Sequence, residues 1–347
     1  MFQPDYENIV SAAYNRKSAR IPLYEHTIND GFMEKLIGKK FSELRNGNHA
    51  DILEYFRYHN GFYKEMGYDT ISCEGWVGPI MPGSGALSGI RDGVIKTRDD
   101  YEKYPWDEVE EIFFNEYTPY FNAFRETMPQ GMLAVGGVGN GIFECVQDVV
   151  GYEDLCVICA DDEELYADLF AKVGDVLSAI WKRFLPQFGD LFCVCRMGDD
   201  LGFKSATLLS PDDIRKHIIP QYKRIAEISR SHKKPFLFHS CGCIFEVMPD
   251  LIAAGITAKH SNEDAIAPFS KWIDDYGSQI GNFGGIDTDV LCDITPCNIV
   301  EYTTAVYNEC AKKGHGVAIG SGNSIPDYIS VERYTAAIDT IRRLRGE

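Results

Sequence analysis

Leu191-Phe-Cys-Val-Cys-Arg196, then Ser210-Pro-Asp-Asp213 running on to Ser231, then Pro235-Phe-Leu-Phe-His-Ser240: these three consecutive segments decide the fold. The first and third are short apolar runs bounded by turn residues, which is how buried strands read. The middle segment opens with a capping serine, a proline at the first helical position and acids in the first turn, so it reads as a helix over Pro211–Ser231. Strand, helix, strand over this length is the signature of a parallel pair joined by a crossover.

The same alternation extends in both directions. Further strands are expected at Ile21–Glu25, Tyr68–Cys73, Met132–Val138, Ile256–His260, Gln279–Gly284 and Gly316–Gly320. Helical spacing of apolar residues appears over Tyr152–Phe184, Cys243–Ala254, Pro268–Tyr276, Asn298–Lys313 and Val331–Leu344. Eight strand–helix units predict an α/β chain folded as a closed (β/α)₈ (TIM) barrel, with an open doubly wound sheet as the alternative. No Pro/Ser-rich linker or repeat divides the 347 residues, so a single domain is expected, with residues 75–131 inserted after the second strand as a cap.

A barrel concentrates its chemistry at the carboxyl ends of its strands. Those ends carry Glu25 and His26, Glu74, Asn140 and Glu144, Arg196 with Asp199 and Asp200, His239 with Cys241, His260 with Glu263, and Ser321 with Asn323. His239 and Cys241 are two apart on one strand, so they point the same way and lie close enough to share a cation. Imidazole with thiolate suits Zn²⁺ and not Mg²⁺ or Ca²⁺; a buried histidine beside an inert thiol is the alternative. Glu263, at the next strand end, is the expected third ligand, ahead of His260 and Cys243. Glu25, His26, Asp199 and Asp200 are expected as catalytic groups, and Arg196, His260 and Asn323 as substrate contacts.

Composition removes other classes. With 34 basic and 52 acidic residues the formal net charge is −18, which disfavours nucleic acid and anionic membrane surfaces as partners. A Walker lysine motif, G-x-S-x-G and H-E-x-x-H are all missing. No signal-like start is visible, and the eleven cysteines are read as reduced thiols of a cytoplasmic protein.

Phe238-His-Ser-Cys-Gly242, Met248-Pro-Asp-Leu-Ile-Ala-Ala-Gly255, Asp199-Asp-Leu-Gly202 running into Leu209-Ser-Pro211, and Gly320-Ser-Gly-Asn-Ser-Ile-Pro-Asp327 together resemble the uroporphyrinogen decarboxylase superfamily. They are most similar to its methyltransferase-like branch, which includes methylcobamide:coenzyme M methyltransferases and corrinoid-dependent demethylase enzymes. The resemblance implies a (β/α)₈ barrel and a zinc site built on His239 and Cys241. That branch adds a later cysteine where this chain has Ser321, and a more distant relative adds a glutamate where Glu263 stands. The implied ligand set is therefore His239, Cys241 and Glu263, with Ser321, water or substrate completing it.

True decarboxylases of the superfamily carry an arginine-rich stretch after the first strand, to hold a substrate with many carboxylates. Here no arginine occurs between Arg20 and Arg45. The resemblance thus implies a zinc-dependent transfer of a methyl group between a small donor or thiol acceptor and a corrinoid. No D-x-H-x-x-G motif is present, so the corrinoid is expected on a separate partner protein. A metal-free decarboxylase and a non-catalytic corrinoid- or ligand-binding barrel are the competing expectations.

Overall fold

A computed structural model describes residues 2–347. Seven strands form one all-parallel sheet in chain order: β1 Ile71–Trp76, β2 Ala134–Gly139, β3 Phe192–Gly198, β4 Phe236–His239, β5 Ala258–His260, β6 Gly281–Ile286 and β7 Val317–Ser321. Each lies on an expected run, displaced by at most three residues at its start. The expected first strand, Ile21–Glu25, does not form as a strand. It is reduced to one parallel bridge, Leu23 to Ile319, held by Tyr24 N–H to the Ile319 carbonyl and Ile319 N–H to the Pro22 carbonyl, both 2.9 Å. Pro22 has no N–H to extend a ladder. Toward β1 the contact is a side-chain one, the Ser72 hydroxyl donating to the His26 carbonyl. The eight-stranded expectation is therefore corrected to seven strands plus a bridging segment.

The sheet curls, because residues of distant strands meet inside it. Arg196 of β3 donates to Glu74 of β1, and the Tyr24 ring packs edge-on against Phe283 of β6 at 5.0 Å. The floor is a small apolar cluster with residues from six strands: Val135, Cys193 and Val194, Leu237, Ala258, Phe283 and Ala318. Ile9, Ala12 and Ala13, from the helix Glu7–Ala13, close it from below. Burying a side chain such as Phe283 contributes about 1.5–3 kcal/mol, so this plug commits the N-terminal end of the sheet to stability and leaves the other end for chemistry.

Helices pack outside. The expected helix over Tyr152–Phe184 is two, Tyr152–Asp161 and Glu163–Phe188, because Asp162 leaves helical geometry and caps the second through Leu165 N–H. The expected Pro211–Ser231 helix contains a π turn at Ile214–Ile218, just before Pro220, which lacks an N–H and crowds the preceding turn. Within residues 75–131, Val109–Glu126 is a helix of the outer ring, packed against His49–Met66 and Glu163–Phe188. The chain between β1 and Val109 holds the short helix Arg98–Lys103 and single turns at Gly78–Ile80 and Trp106–Glu108. No helix among the described residues is long and apolar enough to cross a membrane, and all eleven cysteines are free.

Candidate active site

Register sets the site. Gly198 pairs with His239 across β3 and β4, and His239 pairs with His260 across β4 and β5. The two imidazoles therefore meet at the mouth, Nδ1 to Nδ1 at 2.7 Å, both buried. Burial holds both rings well below the usual imidazole range, so both are neutral. His260 Nε2–H donates to the Ser321 carbonyl at 3.0 Å, which leaves its Nδ1 as an acceptor. His239 Nδ1–H must then donate to it. The consequence is that His239 Nε2 presents a bare lone pair.

That lone pair faces two further electron-rich atoms. Cys241 Sγ lies 3.5 Å from His239 Nε2, and Asp200 Oδ1 lies 3.7 Å from it. Cys241 N–H donates to the same Asp200 oxygen at 2.9 Å, and Asn323 Nδ2–H donates to the sulfur at 3.2 Å. Burial, with Asp200 adding its charge, pushes the Cys241 thiol up. The loops that hold these groups are pressed together at Gly242, whose φ is 80° and where a Cβ would stand 2.2 Å from the Gly202 carbonyl carbon.

Among the described residues, two groups of three ligand atoms converge within 4.8 Å: Asp200/His239/Cys241 and His26/His239/His260. The second does not suit one ion. His26 lies flat on His239, 3.8 Å between ring centres and 7° between planes. Lone pairs lie in their ring planes, and parallel planes do not converge. His26 instead stacks as a wall, its Nδ1 buried without a partner.

The other expected residues fall around this centre. Arg196 is buried at 1% exposure and donates to Glu74 Oε1 at 2.6 Å, to the Tyr24 hydroxyl at 2.9 Å and to the His26 carbonyl at 2.7 Å. Asp199 faces away from the sulfur, accepting from Phe143 N–H at 2.9 Å, Glu144 N–H at 2.8 Å and the Tyr222 hydroxyl. It thus caps the helix Ile142–Val150, in space kept by Gly141, where a Cβ would be 2.2 Å from that of Asp199. Glu25 accepts from Ser321 N–H at 3.1 Å, from the Ser321 hydroxyl and from Tyr68, and burial pushes its carboxyl up to about 8. Ser321 turns its hydroxyl to Glu25 and the Asn323 carbonyl, not to Cys241. Glu263, half-buried, joins neither convergent group.

Glu144 was read as a strand-end acid without a role, and Lys259 escaped the sequence reading. Glu144 accepts from Asp200 N–H at 3.3 Å, and burial beside Asp199 and Asp200 raises its carboxyl. Lys259 is buried on β5 with its ammonium 3.6 Å from the Trp272 ring centre, and burial lowers it to about 7. A lysine within the expected strand Ile256–His260 was the available signal.

Comparison with solved structures finds a methyltransferase from Methanosarcina mazei at TM-score 0.71 and 15% identity, covering 97% of this chain and 98% of that one. An endo-1,4-beta-mannanase from Rhizomucor miehei follows at TM-score 0.50 and 11% identity, covering 94% and 96%. At these identities the likeness is one of fold. Comparison with curated protein sequences gives no match. The model of one family, uroporphyrinogen decarboxylase (URO-D), matches residues 82–344, across β2 to β7 and including Asp200, His239, Cys241 and His260, and the chain belongs to that family.

Proposed function

We propose that the protein is a zinc-dependent methyltransferase that moves a methyl group between a small donor or thiol acceptor and a corrinoid carried by a partner protein. The observation that carries this reading is the convergence of His239 Nε2, Cys241 Sγ and Asp200 Oδ1 within 4.8 Å of one another. Nitrogen, sulfur and carboxylate oxygen brought together in one convergent group are a zinc donor set. His239, Cys241 and Asp200 would hold the ion, which when bound supplies Lewis acidity to a sulfur or a leaving group.

The surrounding residues prepare that centre. His260 and the Ser321 carbonyl fix the His239 tautomer, the usual work of a ligand histidine's outer partner. Asn323 steadies the Cys241 sulfur, and the stack of His26 on His239 excludes water from one side. Glu25 and Glu144, both raised by burial, can hold or release protons at the mouth. Likeness in fold to a methyltransferase supports the assignment. So does the poverty of cations: Arg196 is committed to Glu74, and no arginine lies between Arg20 and Arg45, so a polycarboxylate porphyrinogen finds little to hold it. The test is methyl transfer from methylcobalamin to small thiols, and the reverse demethylation, by zinc-loaded protein. Turnover lost in Cys241→Ser supports the reading; porphyrinogen decarboxylation by metal-free protein would replace it.

A further inference from the structure

A separate cavity lies where the curled sheet is least complete, between the bridging segment and β1. It encloses about 170 Å³ and is lined by Asp30, Arg45, the rings of Tyr55, Trp76 and Tyr120, and, on its inner wall, Glu74 and Arg196. A larger recess of about 770 Å³ lies on the other side of Arg45 and Tyr120, which line both spaces. Arg45 and Tyr120 are thus common to the walls of both spaces.

Of the four charged side chains that line the chamber, Glu74 and Arg196 form an ion pair, and Asp30 and Arg45 do not. Glu74 is paired with Arg196 at 2.6 Å. Asp30 accepts the Tyr55 hydroxyl at 3.1 Å. Arg45 is half-buried over the face of Tyr120, 5.1 Å from the ring centre, and makes no hydrogen bond or ion pair among the described residues. An unused planar cation in an aromatic recess is the arrangement that recognises a carboxylate. In a chain of net charge −18 an anion needs such a local cation to approach. Size narrows the class, since a cavity of about 150 Å³ admits benzene.

The geometry points to a substrate subsite in which Arg45 binds the acid group of a one-ring carboxylate whose flat body lies among Tyr55, Trp76 and Tyr120. The chamber adjoins the centre through Arg196, which donates to the His26 carbonyl beneath the His26–His239 stack. Its role as substrate site rests on the methyl-transfer reading; the binding itself requires neither metal nor turnover.

The experiment is calorimetric titration of the full-length protein with benzoate, and with benzamide as the uncharged shape. Saturable benzoate binding is expected, with benzamide at least tenfold weaker and Arg45→Gln at least tenfold weaker for benzoate. Arg45→Lys, which keeps the charge but not the fork, should fall between, and it decides the matter if the glutamine variant does not fold. No saturable benzoate binding, equal binding of benzamide, or benzoate binding unchanged by the Arg45 substitution would overturn the subsite. Metal content and methyl transfer, measured separately, show whether the functional reading fails with it or stands alone.

Discussion

At the scale of single residues, Glu25 gives the clearest pH signature. Its carboxyl rises from an ordinary value of 4.5 to about 8 because burial outweighs the hydrogen bonds from Ser321 and Tyr68. A folded-state value above the unfolded one stabilises fully below pH 4.5 and is lost as pH rises through about 8. Wild type should therefore lose melting temperature relative to Glu25→Gln between pH 5 and 8. Glu34 runs the other way. Buried, and bonded to Lys40 and to the Phe41 and Ser42 amides at 2.7 and 2.8 Å, it is held at about 2, so its stabilisation is present above pH 4.5 and lost as pH falls toward 2. Glu34→Gln should flatten that acid limb and cost about 1–3 kcal/mol near neutrality, read by urea unfolding.

Residue spacing made part of the site legible. The two-residue step from His239 to Cys241 was enough to place both side chains at one mouth. Asp200 was legible as a strand-end acid but not as a third donor beside His239 and Cys241, because that depends on how the loop after β3 folds onto Gly242. The tautomer chain from Ser321 through His260 to His239 depends on parallel register, which a sequence without its partners does not display.

At the scale of elements, Asp199 ties β3 to the helix Ile142–Val150 through two amides and the Tyr222 hydroxyl. Its replacement by Ala leaves those donors buried and unanswered, which should cost about 3 kcal/mol. If the same variant, where folded, retains zinc affinity within a few fold, Asp199 is a positioning residue, as its geometry indicates. Seven of the eight expected strands formed, because apolar runs of this kind fit only a sheet covered on both faces. The eighth did not: Pro22 in an apolar run still reads as strand until its missing donor is set against a real neighbour. The break at Asp162 was hidden by apolar periodicity that continues across it.

For the whole molecule, the plugged floor and open mouth separate stability from chemistry. Phe283→Ala, at the floor, should cost about 3–5 kcal/mol in unfolding while leaving zinc affinity unchanged. Zinc should raise the melting temperature of wild type, since the proposed ligands come together only when the loops after β3 and β4 are folded. The most direct measurement is Co²⁺ titration of metal-stripped protein, followed through the sulfur-to-cobalt charge-transfer absorption. The account predicts a saturable band in wild type, its loss in Cys241→Ser, and an affinity weakened more than about 100-fold by Asp200→Asn but by far less in Glu263→Gln. A band that survives Cys241→Ser, or none in wild type at saturating cobalt, would contradict it.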